Sequence, residues 1–360
     1  MITGHGGDIQ ETAARLGCAV TELVDMSSNL NPIGPLPGLE EFLCKNIRSI
    51  ITLPDADTDR VSSSLARLYD LSAENISAGN GTTQFIYNLP LALKFKKVLI
   101  LGPVYADYAD ACAMHGAETT LFMADNDKGF EWDYKKLDHE LKIRDAVYIC
   151  NPNSPTGKLT DAAEIAKLAA QNPDKWVIVD ETYLPFLKNW KKQSLLYSDL
   201  KNLIVFHSMS KIHRLPGLRI GFMKADKDVV SKFMDFFMPW SINSLAQSAV
   251  FHLAERKTDV EKFIKDSANY AYEQKQIIMD GLKGTGIDFF ASSSVFMLGK
   301  TGPGLPDSAT LHNMMLEKKI MIRDCSNFKG LSGRHFRISL HTQENNLNFV
   351  KAIRECIGPK

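Results

Sequence analysis

The stretch Asn202-Leu-Ile-Val-Phe206-His-Ser-Met-Ser-Lys-Ile-His-Arg-Leu-Pro-Gly-Leu-Arg-Ile-Gly221 decides how the chain is read. Its first five residues are an apolar run of the length and composition of a buried strand. Two serines, Ser208 and Ser210, and then Lys211 follow the run, and Arg219 stands eight residues further on, with Pro216-Gly217 turning the chain between them. A lysine amine can condense with an aldehyde, and hydroxyls with a guanidinium can hold a phosphate. The same residues would also suit a solvated strand-to-loop junction, where most lysines lie. The surrounding chain has to decide between the two.

Outward from this stretch, apolar strands alternate with helices. Lys97–Leu101, Glu118–Met123, Ala146–Cys150, Lys175–Val179 and Leu218–Phe222 read as further strands. Helical patterns follow Tyr108 to about His115, Trp132–Lys142, and Thr160–Gln171 with Thr160 as its N-cap. This alternation predicts an α/β fold, a mostly parallel sheet covered by helices on both faces. Such sheets bind ligands beyond the carboxyl ends of their strands. Four polar clusters stand at those ends: Tyr105, Asn153, Asp180 to Tyr183, and Ser208-Ser210-Lys211.

Before the alternating region, Leu36–Ile51 and Asp59–Leu71 read as amphipathic helices, and Ser77-Ala-Gly-Asn-Gly-Thr-Thr-Gln84 precedes a helical run from Phe85 to Leu93. Glycines and hydroxyls at a helix N-terminus form either a phosphate site or a plain capping turn. The chain opens with Gly4-His-Gly-Gly7, a helical pattern over Ile9–Leu16, and the turn-rich Asp25-Met-Ser-Ser-Asn-Leu-Asn-Pro-Ile-Gly-Pro35. His5 among glycines is either part of a mobile terminus or a donor to an anion. Residues 226–285 are mostly helical, with Arg256–Lys283 as a long connecting helix. Residues 286–360 form an α+β pattern: Phe289–Leu298 and Phe336–Leu340 are strand-like, Ser308–Lys318 and Gln343–Glu355 helical.

The 360 residues are 44% hydrophobic and 23% charged, which suits a globular protein with a large core. Lys+Arg and Asp+Glu are equal at 42, so no overall field recruits nucleic acid or an anionic membrane. The six cysteines are scattered, without metal-site spacing, so no metal is expected. There is no leader-like start and no apolar run of membrane-spanning length, and a cytoplasmic location is expected.

An aldehyde-bearing pyridine phosphate would use these clusters together. Asp180 would face a protonated ring nitrogen, although its position also suits a helix N-cap. Tyr105 would stack on the ring and Tyr183 would bond the ring oxygen, although each is also a plausible core aromatic. Thr82, Thr83, Ser208, Ser210 and Arg219 would hold the phosphate.

The set Ala78-Gly-Asn-Gly81, Pro103-x-Tyr-x-x-Tyr108, Asn151-Pro-Asn-Ser-Pro-Thr-Gly157, Asp180-Glu-Thr-Tyr183, Ser208-Met-Ser-Lys211 and Leu215-Pro-Gly-Leu-Arg-Ile-Gly221 resembles the class I/II aminotransferase group of fold-type I enzymes that use pyridoxal 5′-phosphate. The resemblance covers nearly the whole chain. It implies a homodimer and a large cofactor domain with a seven-stranded sheet, at residues 46–255. A smaller domain at 256–360 would be joined by the N-terminal segment 1–45. It implies Lys211 as the Schiff-base lysine, Asp180 on the ring nitrogen, Tyr183 and Asn153 on the ring oxygen, Tyr105 stacked, and Gly81, Thr82, Ser208, Ser210 and Arg219 around the phosphate.

Two stretches narrow the resemblance. The start, Gly4-His-Gly-Gly-Asp8 with Asp25–Pro35, and Ile322-Arg-Asp-Cys-Ser-Asn-Phe-Lys-Gly-Leu331 are similar to the threonine-phosphate decarboxylases of cobalamin biosynthesis, relatives of the histidinol-phosphate aminotransferases. This implies a small phosphorylated amino acid as substrate, with His5, Gly6, Asn29, Arg323 and Arg337 to bind it. Which arginine takes phosphate and which carboxylate stays open, as does threonine phosphate against serine phosphate, which differ by one methyl. A transaminase is the alternative. Three positions depart from the family pattern: Leu53 where a tyrosine is common, Ser154 where many relatives carry a second asparagine, and His341 where glycine is usual.

Overall fold

The structure, a computed structural model, describes residues 6–358. Its strands are β1 (Val24–Asp25), β2 (Ile76–Gly79), β3 (Lys97–Gly102), β4 (Glu118–Met123), β5 (Ala146–Cys150), β6 (Trp176–Asp180), β7 (Leu203–Ser208), β8 (Gly221–Lys224), β9 (Ile287–Phe289), β10 (Phe296–Thr301), β11 (Ile320–Met321), β12 (Arg323–Asp324) and β13 (His335–Ser339). Seven of them form one sheet in the order β2-β8-β7-β6-β5-β3-β4. The five strands β4, β3, β5, β6 and β7 run parallel, and β8 lies antiparallel to both β7 and β2. This is the mostly parallel α/β sheet expected from the sequence.

The central strands are buried on both faces, which is why they read as unbroken apolar runs. Alternate residues feed two separate cores. Leu99, Val147, Val177 and Val205 belong to one, and Ile100, Tyr148, Ile178 and Phe206 to the other. At the edge, β4 is only partly covered and carries Thr119 and Thr120, polar residues suited to an unpaired edge.

A four-stranded sheet, β12-β13-β10-β9, stands apart from the large one. The N-terminal segment docks on this region: β1 pairs in parallel with β11 in a separate two-stranded sheet, Val24 opposite Ile320, and Ser339 N–H of β13 donates to Met26 O at 2.7 Å. The helix Lys257–Gly281 leads into this region.

Several boundaries differ from the sequence reading. Leu36–Ile51 is not one helix: it starts at Leu39, after Gly38 in a left-handed conformation, and passes at Asn46 into a 3₁₀ turn over Ile47–Ile51. Phe289–Leu298 splits into β9 and β10, because Ser292 folds its hydroxyl onto Phe296 O at 2.5 Å and breaks the extended run. The N-cap of the helix Ala162–Gln171 is Asp161, whose side chain accepts Ala163 N–H, and Thr160 is instead bonded to Asn151. β8 begins at Gly221, since Pro216–Leu218 forms a 3₁₀ turn. Among the described residues no helix is long and apolar enough to cross a membrane.

Candidate active site

The four polar clusters follow β3, β5, β6 and β7, and residues at or just beyond the ends of all four strands line one cavity of about 280 Å³. The cavity wall contains Gly6, Asn29, Thr82, Thr83, Tyr105, Asp180, Tyr183, Ser208, Ser210, Lys211, Arg219, Arg323 and Arg337. His5 lies outside the described residues.

Lys211 and Arg219 lie on the connection between two neighbouring antiparallel strands, with Ser208 opposite Gly221. Ser208 caps the single helical turn Met209–Ile212, its hydroxyl accepting Ser210 N–H at 3.2 Å. The chain then turns through Pro216–Leu218 and leaves Arg219 in a left-handed conformation, φ 55°. Arg219 donates to Thr83 Oγ1 at 3.3 Å and to Pro216 O at 3.2 Å.

Thr83 belongs to the helix Gly81–Ala92, whose first N–H groups have no carbonyl within the helix to bond. Gly81, although not on the cavity wall, fits this corner for a steric reason. Its φ is +71°, and a Cβ there would stand 2.7 Å from Arg219 Nη2. Guanidinium, hydroxyls and a helix N-terminus together form a corner suited to a phosphate.

Asp180 lies at the opposite side of the chemistry, buried at the end of β6. Its Oδ1 accepts Thr182 N–H at 2.9 Å and its Oδ2 accepts the Tyr108 hydroxyl at 2.8 Å. Burial pushes its carboxyl up, and these donors oppose the shift. Burial, then the charges of Arg337 and Arg219, hold the Lys211 ammonium down to about 8, against the pull of Asp180. Much more of this amine is therefore neutral near neutral pH than of an exposed lysine. Tyr183 accepts Asn29 Nδ2–H at 3.2 Å, and burial pushes its hydroxyl up to about 12, so it stays a donor.

Two arginines form the remaining wall. Arg323 on β12 and Arg337 on β13 are directly opposite each other in antiparallel register. Arg337 is buried, with Nη1 donating to Ser154 Oγ at 3.0 Å and Nη2 to Ser27 O at 2.9 Å. Its Nε has no partner among the described residues. Arg323 donates to Asn327 Oδ1 at 2.9 Å. Among the described residues neither arginine forms a salt bridge to a carboxylate, although Asp324 and Asp8 bear on Arg323 electrostatically from further away.

One expected site residue stands off the cavity wall. Asn153 is fully buried, its amide nitrogen donating to Pro103 O and to Thr156 Oγ1, both at 2.9 Å, and it does not reach the cavity. Ser154 lines the cavity in its place. The tight loop around two cis prolyl bonds, Asn151-Pro152 and Ser154-Pro155, uses the asparagine to hold itself together.

The other departures lie elsewhere. Leu53 is 78% exposed, and His341 is absent from the cavity wall, its Nδ1 accepting from Thr342 N and Asn345 Nδ2. The sequence reading did not single out Ser27, Ser28, Tyr108 or Thr182, all of which line the cavity. Tyr108 was within reach of that reading, since its spacing of three from Tyr105 puts both on one face of a helix start.

The model of the family "Aminotransferase class I and II" matches residues 21–353. The chain belongs to the class I and II aminotransferase family. It is 28% identical to the threonine-phosphate decarboxylase of Salmonella typhimurium, over 99% of this chain and 97% of that protein. It is 29% identical to the adenosylcobalamin biosynthesis bifunctional protein CobDQ of Leptospira interrogans, over 97% of this chain. The match covers 40% of that longer protein.

Among solved structures, the L-threonine-O-3-phosphate decarboxylase of Porphyromonas gingivalis has a TM-score of 0.80 at 28% identity, covering 92% of this chain and 99% of that one. The histidinol-phosphate aminotransferase of Clostridium acetobutylicum has a TM-score of 0.84 at 25% identity, covering 93% and 99%. As a member of this family the protein is an enzyme with pyridoxal 5′-phosphate as its cofactor. The donor set fits that group. Hydroxyls and a guanidinium suited to a phosphate, beside a position 81 with room only for glycine, share one cavity with a low-pKa lysine and a buried carboxylate.

Proposed function

We propose that the enzyme decarboxylates L-threonine O-3-phosphate, or L-serine O-phosphate, to the amino-alcohol phosphate used in cobalamin or cobamide biosynthesis. The observation that carries this reading is the facing pair Arg323 and Arg337, without a salt bridge to a carboxylate among the described residues, on the same cavity wall as Lys211. Two guanidinium groups not engaged in a salt bridge suit a substrate with two anionic ends, a phosphate and a carboxylate. Similarity over nearly the full length to the Salmonella threonine-phosphate decarboxylase supports the same reading.

In this reading Thr82, Thr83, Ser208, Ser210, Arg219 and the amides beside Gly81 hold the cofactor phosphate. Tyr105 covers the ring, Tyr183 donates to the ring oxygen and Asp180 faces the ring nitrogen. When bound, pyridoxal phosphate supplies an aldehyde that takes the substrate amine and a ring that accepts the electron pair released at Cα as CO₂ departs. Arg337, already fixed by Ser154 and by Ser27 O, enters the reaction with little side-chain freedom left to lose. Asn29, Gly6 and Arg323 complete the substrate wall. Lys211, on the cavity wall, would return a proton to Cα.

The same reading divides the chain into 1–45, 46–255 and 256–360, makes the protein cytoplasmic, and makes it a homodimer. The exposed apolar residues Ile50, Ile51, Leu53 and Trp240 support the dimer. They share a face, since Trp240 N–H bonds Ala56 O and Ser244 Oγ bonds Thr52 O.

The test supplies purified enzyme with threonine phosphate, serine phosphate, or histidinol phosphate plus 2-oxoglutarate. CO₂ release without accumulation of the cofactor's amine form is expected with one of the first two. Glutamate formation with the third, and no CO₂ from the others, would show a transaminase instead.

A further inference from the structure

Tyr108 is buried, 1% exposed, and its ring is held by two aromatic neighbours. Tyr148 stacks on it with centroids 5.1 Å apart and planes at 16°, and Tyr105 meets it edge-on at 6.0 Å and 84°. This packing delivers the hydroxyl to Asp180 Oδ2 at 2.8 Å, while the other carboxylate oxygen is taken by the backbone of Thr182. A carboxylate in so dry a place takes up a proton unless donors favour its ionised form. Among the described residues Tyr108 is the side-chain donor at that oxygen. Burial holds its own proton firmly in place, so it donates across the whole working pH range. The spacing Pro103-x-Tyr105-x-x-Tyr108 therefore brings two tyrosines to the cavity wall, one to meet a ring and one to hold the acid.

We propose that Tyr108 is a positioning residue: by donating to Asp180 Oδ2 it keeps that carboxylate ionised and aimed into the cavity, and so sets how tightly the cofactor's ring nitrogen is held. The inference rests on the assignment of Asp180 to the ring nitrogen and is independent of which substrate is used.

Tyr108→Phe keeps the ring and its packing and removes the donor. It is compared with Asp180→Asn, with the double variant, and with Tyr148→Phe. Tyr148 is the stacking neighbour, and its hydroxyl has no partner among the described residues. Two quantities are read on the cofactor-depleted and reloaded proteins: the dissociation constant for pyridoxal 5′-phosphate, and the pH at which the absorbance band of the bound cofactor changes.

Losing a hydrogen bond to a charged group should weaken cofactor binding by on the order of tenfold in Tyr108→Phe and move the spectral midpoint. In the Asp180→Asn background the same exchange should change neither quantity, because the partner it acts through is gone. Tyr148→Phe should bind as wild type, and Tyr108→His, which restores a ring donor, should recover part of the loss.

Wild-type binding and an unmoved midpoint in a folded Tyr108→Phe would overturn the proposal. So would an equal loss in both backgrounds, which would show packing alone. Should Tyr108→Phe fail to fold, Tyr108→His carries the comparison in both backgrounds, with wild-type-like coupling to Asp180 expected and its absence decisive. Cofactor binding unaffected by Asp180→Asn would remove the assignment of Asp180 and this inference with it. Failure of the decarboxylation reading alone would leave these measurements untouched.

Discussion

In the cofactor-free protein Lys211 should make stability depend on pH in a way that one substitution removes. Its ammonium is held down to about 8 from the ordinary 10.5, by burial first and then by Arg337 and Arg219. Below about pH 8 both the folded and unfolded chains carry this proton, and the folded state bears the full cost of a charge it holds poorly. Between about 8 and 10.5 the unfolded chain binds the proton and the folded chain does not, so stability rises with pH.

At about 1.4 kcal/mol per pH unit, the interval corresponds to about 3 kcal/mol. About 2 kcal/mol of this should emerge between about pH 7 and 9.5. Lys211→Met keeps the length of the side chain and removes the titration. Urea unfolding of both cofactor-free proteins across that pH range isolates the lysine, because other buried groups, such as Lys275 held near the same value, are present in each. The wild type should gain on the variant by about 2 kcal/mol as pH rises. Parallel stability curves would refute the reasoning, since they would mean that Lys211 titrates alike in the folded and unfolded chains.

Gly81→Ala forces a side chain into a left-handed position, at about 1–2 kcal/mol, and against Arg219 Nη2. Equilibrium dialysis should show pyridoxal phosphate bound on the order of tenfold more weakly, with the fold retained. Arg323→Gln and Arg337→Gln should each lower kcat/KM by about 10- to 100-fold, the worth of one charge-assisted contact. Arg337→Gln should also raise the Lys211 pKa, because Arg337 is the leading charge that depresses it, and Arg323→Gln should not. The pH dependence of urea unfolding in the cofactor-free variants separates the two. Ile51→Asp places a charge in the exposed apolar face and should shift the protein toward monomer in sedimentation velocity, while leaving the far-UV circular dichroism unchanged.

Legibility in the sequence followed from how each residue works. The strands that carry the site announced themselves because both their faces are buried, leaving no polar residue to interrupt the run. Their polar ends then marked the cavity, and Lys211, Asp180, Tyr183 and Arg219 all lie there. β2 stayed hidden: Ile76–Gly79 is four residues long and merges into the glycine turn after it. Asn153 illustrates a different limit. Residue type and motif permit either amide of such a loop to face a ligand, and only the path of the backbone shows that Asn153 ties down the loop while Ser154 faces the cavity. The pairing of Arg323 with Arg337 was equally out of reach, because it depends on the register of two strands separated by an unpredicted turn.

The pairings of β2 and β1 also set an order of assembly. β2 lies beside β8, so Gly79 meets Gly221 across about 140 residues, and the corner suited to a phosphate cannot close during synthesis until that last strand has left the ribosome. The substrate wall comes later still. Ser27 finds Arg337, and Val24 finds Ile320, only when nearly the whole chain is available. A nascent chain of this protein therefore completes the proposed cofactor side of the cavity before the proposed substrate side. Slow steps in maturation should fall in the joining of the two chain ends, where loop closure spans the longest stretch of polypeptide.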